Sequence, residues 1–337
     1  MKLLLCFGTR PEWLKIKPLL RTLEKYDLLF TGQHPDLVTE VDSYTESLAF
    51  KTSTLYRINI CDNKNRLDQL VSDCLLQFPQ GDFDTVLVQG DTASAFSCAL
   101  GAFHRNLKIV YLEAGLRTYN LKHPYPEEAY RQMISRISDI NLAPTSLASD
   151  NLKNEITQGA IKVVGNTSLD NLLPYKDKCR YGNKVLVTLH RRENHPIIKD
   201  WFIEINKLAE KNPNLNFILP LHPNPNTSTH KDLLTLVDVI PPLSHSDLLD
   251  ILVECRLVIS DSGGIQEEGS FFNKKVIVCR KTTERPEGKD TGHLVMCDSP
   301  AKIAGIFAST LYNNTVDAAC PYGDGKSAEK ITKILNC

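Results

Sequence analysis

The chain of 337 residues has no apolar run near the ~20 residues that a membrane helix needs, so no membrane partner is expected. It has no block of basic residues. Its 39 Lys and Arg stand against 40 Asp and Glu, a net charge of −1, which argues against a nucleic-acid surface. Ten cysteines are present, yet none form a CxxC pair, and neither Cys nor His shows metal-ligand spacing. The thiols read as reduced and buried, as in a cytoplasmic protein. No GxGxxG fingerprint occurs, so no nicotinamide is expected, and no cofactor or metal of any kind. Internal repeats and low-complexity tracts are absent as well.

The chain does contain an alternation of apolar strands and amphipathic helices. Strands are expected at Lys2–Phe7, Thr85–Val88, Ile109–Leu112, Lys184–Leu189, Asn216–Leu221, Leu257–Ser260 and Lys275–Val278. They are rich in Val, Ile and Leu without strict alternation, as parallel strands buried on both faces are. The start, Met1–Phe7, has some look of a signal sequence, but it is short and lacks a small-residue cleavage site. A first strand is the better reading. Leu67, Leu70, Val71, Cys74, Leu75 and Phe78 follow helical spacing. The pattern predicts an α/β protein of two Rossmann-like, doubly wound domains. The polar stretch 174–183 marks the junction. We divide the chain into 1–170 and 171–323, with a closing helix, about 324–337, packing back onto the first domain. Such domains bind ligands beyond their strand C-termini, and a cleft between the two is expected.

The most informative stretch is Asp261-Ser262-Gly263-Gly264-Ile265-Gln266-Glu267-Glu268. A strand that turns through Ser262, Gly263 and Gly264 into a helix offers free N–H groups to a phosphate. Glu268, a turn further on, would repel that phosphate unless it had a use, such as binding ribose hydroxyls. Other polar residues also follow expected strands. Gly8-Thr9-Arg10-Pro11-Glu12 opens a helix in which Pro11 suits the first position and Glu12 the dipole. Arg10 and Lys15 would meet a phosphate or a sugar. Asp91 and Glu113 each end a strand. Asp91 has the ordinary alternative of capping the helix that starts at Thr92. Two carboxylates close together in a dry cleft raise one another's proton affinity, which suits acid–base work. Glu127 and Arg131 are four apart, and a surface ion pair is the ordinary reading. His190-Arg191-Arg192 suits a diphosphate. His222, after the next strand, stands at an equivalent place.

These segments, with Glu113-Ala114-Gly115-Leu116-Arg117-Thr118, Gly165-Asn166-Thr167, Thr282-Thr283-Glu284-Arg285-Pro286-Glu287 and Pro321-Tyr322-Gly323-Asp324-Gly325, occur in an order that resembles the non-hydrolysing UDP-N-acetylglucosamine 2-epimerases. The resemblance covers nearly the whole chain. It implies a GT-B-like fold and interconversion of UDP-GlcNAc and UDP-ManNAc. UDP would leave by anti elimination, giving 2-acetamidoglucal, and add back to the other face. Asp91, Glu113, Glu127 and His190 would be catalytic. Arg10, Lys15, Arg131, Ser262, Gly263, Gly264 and Glu268 would bind the UDP-sugar. A homodimer is expected. The chain departs from the family at Trp13, where a small or aliphatic residue is usual, and at Leu248, where an aromatic residue stands near the uracil. Trp13 beside the sugar would fit a 6-deoxy UDP-N-acetylhexosamine. Rival readings are a GT-B glycosyltransferase, a hydrolysing epimerase and a silent UDP-sugar sensor.

Overall fold

The computed structural model describes residues 2–47, 52–60, 67–221 and 224–336. His222 and Pro223 of the segment after the fifth expected strand lie outside them. The chain divides into two compact units, Met1–Asn171 with Gly325–Cys337, and Leu172–Asp324.

The first unit carries a parallel sheet of β1 (Leu3–Phe7), β2 (Tyr26–Phe30), β3 (Thr52–Arg57), β4 (Thr85–Gln89), β5 (Lys108–Leu112), β6 (Ile140–Ala143) and β7 (Ala160–Val163). Its order is β3-β2-β1-β4-β5-β6-β7. Both faces are covered. Leu3, Leu5 and Phe7 pack into one core with Trp13, Leu28 and Leu87, and Leu4 and Cys6 pack into the other with Val86 and Val88. This is the period of two that a strand imposes.

The helix Ser327–Asn336 closes this unit. Ala328, Ile331 and Leu335, spaced three and four apart, enter the same core as Trp13. Its first amides donate to Asp170, Ser327 N to Oδ1 at 3.1 Å and Ala328 N to Oδ2 at 2.7 Å. A carboxylate there suits the positive end of the helix dipole.

The second unit carries β8 (Lys184–Thr188), β9 (Asn216–Pro220), β10 (Asp238–Ile240), β11 (Cys255–Ser260), β12 (Val276–Val278) and β13 (Leu294–Met296). All pairs are parallel, in the order β10-β9-β8-β11-β12-β13. Both sheets therefore have the doubly wound Rossmann arrangement, and the two together make the fold GT-B-like. The strand order reverses between β1 and β4, and again between β8 and β11. Ligands of such sheets bind beyond the strand C-termini at those points. The segments that leave them are Gly8-Thr9-Arg10, Gly90-Asp91, Leu189-His190-Arg191 and Asp261-Ser262-Gly263.

Candidate functional site

In the first unit, Arg10 and Lys15 project from the helix Arg10–Ile16, with Thr9 at its N-cap. Glu12 does more than complement the dipole. Its Oε2 accepts from Thr9 N at 2.7 Å and Gly8 N at 2.9 Å, and its Oε1 accepts from Thr92 Oγ1 at 2.5 Å. It thus ties the turn after β1 to the turn after β4. Burial raises its pKa above the usual carboxylate range, against the bonds from Thr92, Gly8 and Thr9. The spacing Thr9-x-x-Glu12 is the sequence signal for this reach back.

Lys15 Nζ lies 2.5 Å from both carboxylate oxygens of Glu113. Gln89 Nε2, at the end of β4, donates to Glu113 Oε2 at 2.5 Å. Glu113 itself has φ +67°, a left-handed conformation that costs a side-chain-bearing residue about 1–3 kcal/mol. Strain of this kind is held only where the surroundings over-determine it. Gly115, two residues on, has φ +91°, and a Cβ there would lie 2.1 Å from Ala148 O. No other residue fits that turn.

Asp91 is not a helix cap. Thr92 takes that position, its hydroxyl accepting from Ala95 N at 3.0 Å. Asp91 Oδ2 instead receives Arg131 Nε at 2.7 Å and lies 2.6 Å from another guanidinium nitrogen. The expected Glu127–Arg131 pair is replaced by this one. Helical spacing brings Glu127 and Arg131 to one face, but Asp91 at the strand end and Glu128 lie closer to the guanidinium. Each of Asp91 and Glu113 is thus met by a cation rather than by the other carboxylate.

Glu128 is fully buried and holds the following loop. It accepts from Thr118 N at 2.9 Å, Tyr119 N at 3.0 Å and Gln132 Nε2 at 2.9 Å. Burial pushes its pKa up, but these bonds and the Arg131 charge outweigh burial and leave it below the ordinary value. Glu127 opens the helix Glu127–Ile137, and its Oε2 is buried with no hydrogen-bond partner. Buried polar atoms are rarely left so.

Trp13 does not face a sugar. It is 0% exposed, its ring tilted against Phe7 at 4.9 Å and edge-on to Tyr44 at 5.4 Å. Its size is explained by the core, and Glu40, which accepts from its Nε1 at 3.2 Å, lies 3.3 Å from the Arg10 guanidinium.

In the second unit, Asp261 organises the turn after β8. It is fully buried and accepts from His190 N at 3.0 Å, Arg191 N at 2.9 Å and Asn194 Nδ2 at 2.9 Å. His190 Nδ1 is 3.5 Å from Asp261 Oδ1. The first Asp of the sequence motif is therefore a scaffold, a role that the sequence reading did not give it. Asn194, two residues past the Arg pair, was missed too. It bridges Asp261 and Cys279 O at 2.9 Å.

Ser262 is the N-cap of the helix Gly263–Phe271 and makes no side-chain cap bond. Its hydroxyl is not used by the helix. A Cβ on Gly263 would lie 2.6 Å from the Arg285 guanidinium, whereas one on Gly264 would meet almost nothing. Arg285 Nε donates to Glu267 Oε1 at 2.6 Å, and Thr283 Oγ1 donates to Gln266 Oε1 at 2.6 Å. Tyr322 OH donates to Arg285 O and accepts from Gly288 N, both at 3.0 Å. The motifs 282–287 and 321–325 thus brace the turn that Ser262 opens.

A pocket of about 290 Å³ lies before this helix, with Leu189, His190, Leu248, Ser262, Gly264 and Glu268 among its lining residues. Ser262, Gly264, Glu268 and His190 are thereby brought to one cavity. His245 also lines it and was missed by the sequence reading. Leu248 supplies apolar surface.

Among the described residues no group of His, Cys, Asp and Glu could hold a metal ion. No helix among them is long and apolar enough to cross a membrane.

A family profile described as UDP-N-acetylglucosamine 2-epimerase matches residues 21–336. The chain is 34% identical to the UDP-N-acetylglucosamine 2-epimerase of Neisseria meningitidis serogroup A, covering 99% of each chain. It is 33% identical to that of Bacillus subtilis, covering 99% of this chain and 95% of the relative. Among solved structures, the Neisseria meningitidis enzyme bound to UDP-GlcNAc superposes with a TM-score of 0.82 at 32% identity over 100% of both chains. The Methanocaldococcus jannaschii enzyme in complex with UDP-GlcNAc and UDP superposes with a TM-score of 0.71 at 28% identity, covering 100% of this chain and 99% of that one.

Proposed function

This chain belongs to the UDP-N-acetylglucosamine 2-epimerase family and is an isomerase, and we propose that it interconverts UDP-GlcNAc and UDP-ManNAc without hydrolysing the nucleotide. The observation that carries this reading is Glu113, held in a left-handed conformation and gripped by Lys15 and Gln89 at the end of a buried strand. A binding module for an anionic ligand gains nothing from such a carboxylate, nor from Asp91 and Glu127 beside it in the motif set. An enzyme that moves a proton does.

The reaction needs three services. A carboxylate takes the weakly acidic C2 proton while the C1–oxygen bond to UDP breaks, and a C1–C2 double bond forms. Cations meet the charge that grows on the departing diphosphate. A second acid then returns a proton to the opposite face as UDP adds back at C1. Asp91, Glu113 and Glu127 are the proton carriers in this proposal, and Arg10, Lys15, Arg131 and His190 supply the charge. The turn Ser262-Gly263-Gly264 receives the diphosphate through its amides and hydroxyl, and Glu268 receives the ribose. The complexes of the relatives with UDP-GlcNAc and UDP support the nucleotide assignment.

The 6-deoxy alternative loses its motivation, because Trp13 is buried in the core. Incubation with UDP-GlcNAc followed by anion-exchange chromatography tests the proposal. It predicts UDP-ManNAc with total UDP-sugar conserved. Free UDP with free ManNAc would point to a hydrolysing enzyme. Turnover only with an acceptor sugar would point to a glycosyltransferase, and binding without turnover to a sensor.

A further inference from the structure

The nucleotide pocket contains a conflict and, beside it, a remedy. The start of the helix Gly263–Phe271 favours an anion. Glu268 of the same helix lines the same cavity, with a side chain only 18% exposed, and its negative charge repels that anion. His245 Nε2 lies 2.8 Å from Glu268 Oε1. It is the first residue of the helix His245–Glu254, following the cap Ser244, whose hydroxyl receives Asp247 N at 3.2 Å.

We propose that His245 is a proton-linked positioning residue of the nucleotide site: its protonated imidazole orients and neutralises Glu268, so that a diphosphate ligand binds more tightly while His245 carries its proton. This rests on the nucleotide reading given above. It adds a residue and a pH dependence that the reading does not contain.

The geometry fixes the sign. The hydrogen bond that His245 donates to Glu268 raises the His245 pKa above the ordinary imidazole value, burial opposes it, and the Glu268 charge adds to the rise. A helix N-terminus disfavours a cation, and here the carboxylate outweighs it. Among the described residues, the titratable groups that line the pocket with His245 are Glu268 from the facing helix and His190 from the segment after β8. On its own helix, Asp247 is engaged by Ser244 Oγ at 2.6 Å. The proton is present below the raised pKa and lost as pH rises through it. Above that point Glu268 stands unneutralised beside the phosphate.

The test is calorimetric titration with UDP-GlcNAc, whose diphosphate diester does not ionise near neutrality, between about pH 6 and about pH 8.5. The wild-type affinity falls roughly tenfold across this window, the scale of one charge several ångströms from the ligand after screening. His245→Gln keeps a donor for Glu268 but cannot titrate, and its affinity changes about twofold or less. In Glu268→Gln, His245 loses the partner that raises its pKa, and the remaining step moves to lower pH. A His245→Gln profile superimposable on wild type would overturn the inference, since the step would then not belong to His245. An unmoved step in Glu268→Gln would overturn it as well. Failure of the wild type to bind UDP-GlcNAc at either pH would instead remove the nucleotide reading on which the inference rests.

Discussion

Lys15 and Glu113, 98 positions apart in sequence, meet at 2.5 Å where β5 ends. The ammonium, the Gln89 amide and the left-handed backbone of Glu113 together fix one carboxylate in one place. A proton carrier needs such fixing, because a loosely held base loses most of its advantage.

Glu113→Gln retains the size and one hydrogen-bond acceptor of this group but cannot carry a proton. We expect kcat to fall by roughly 10²-fold or more with UDP affinity little changed. Steady-state kinetics with UDP-GlcNAc and calorimetry with UDP separate the two. Near-normal turnover would remove Glu113 from the chemistry and leave Asp91 and Glu127 as the carboxylates to test.

Arg131 is predicted to act with Asp91 rather than with Glu127. Asp91→Asn and Arg131→Lys each disturb one guanidinium–carboxylate pair, and the double variant is expected to lose little more than the worse single one. The same cycle with Glu127→Gln and Arg131→Lys is expected to be close to additive. Equal coupling in both cycles would contradict the geometry.

Much of this was legible because chemistry sits at strand ends. The strands β1, β4, β5, β8, β9, β11 and β12 show as Val- and Leu-rich runs, and the motifs that follow them carry Arg10, Asp91, Glu113, His190 and Ser262. The strands that escaped notice are short or interrupted. β2 contains Asp27, β3 opens on the polar run Thr52-Ser53-Thr54, β6 contains Asn141, β7 is a largely exposed edge strand, and β10 and β13 have three residues each. Pairings were the least legible part. Spacing put Glu127 beside Arg131, but a pairing between elements won, and nothing local announced Asp91 as its partner. The Asp261 hub was hidden for the same reason, since its partners lie about 70 residues away. Trp13 misled because a large residue in a motif suggests a ligand, whereas its volume fills the core.

Trp13 is accordingly predicted to govern stability and not sugar choice. Trp13→Ala is expected to cost about 3–5 kcal/mol in urea unfolding, through lost burial and the cavity left behind. Trp13→Phe keeps most of the ring packing but removes the Nε1 donor, 3.2 Å from Glu40 Oε1, for about 1 kcal/mol. The ratio of kcat/KM for UDP-GlcNAc to that for its 6-deoxy analogue is expected to stay unchanged in Trp13→Phe. A shift toward the 6-deoxy sugar would restore Trp13 as a selectivity residue.

Ser262→Ala and Gly263→Ala are predicted to weaken UDP binding by different routes. The first removes a hydroxyl that the helix does not use, at a cost of about 1 kcal/mol in affinity. The second drives a methyl group into Arg285 and disturbs the braced turn. Replacing Arg285 with a smaller residue is expected to recover part of the loss in Gly263→Ala and none of the loss in Ser262→Ala. Calorimetry with UDP reads both. Recovery in neither would show that the methyl group obstructs the phosphate directly.

The central claim is that the C2–H bond is broken and remade by carboxylates of this chain during reversible loss of UDP. Proton NMR of UDP-GlcNAc incubated with the enzyme in D2O tests it most directly. Elimination and re-addition by these carboxylates gives UDP-ManNAc in the mixture and deuterium at C2 of both sugars. Epimerisation with C2 fully protonated would contradict it.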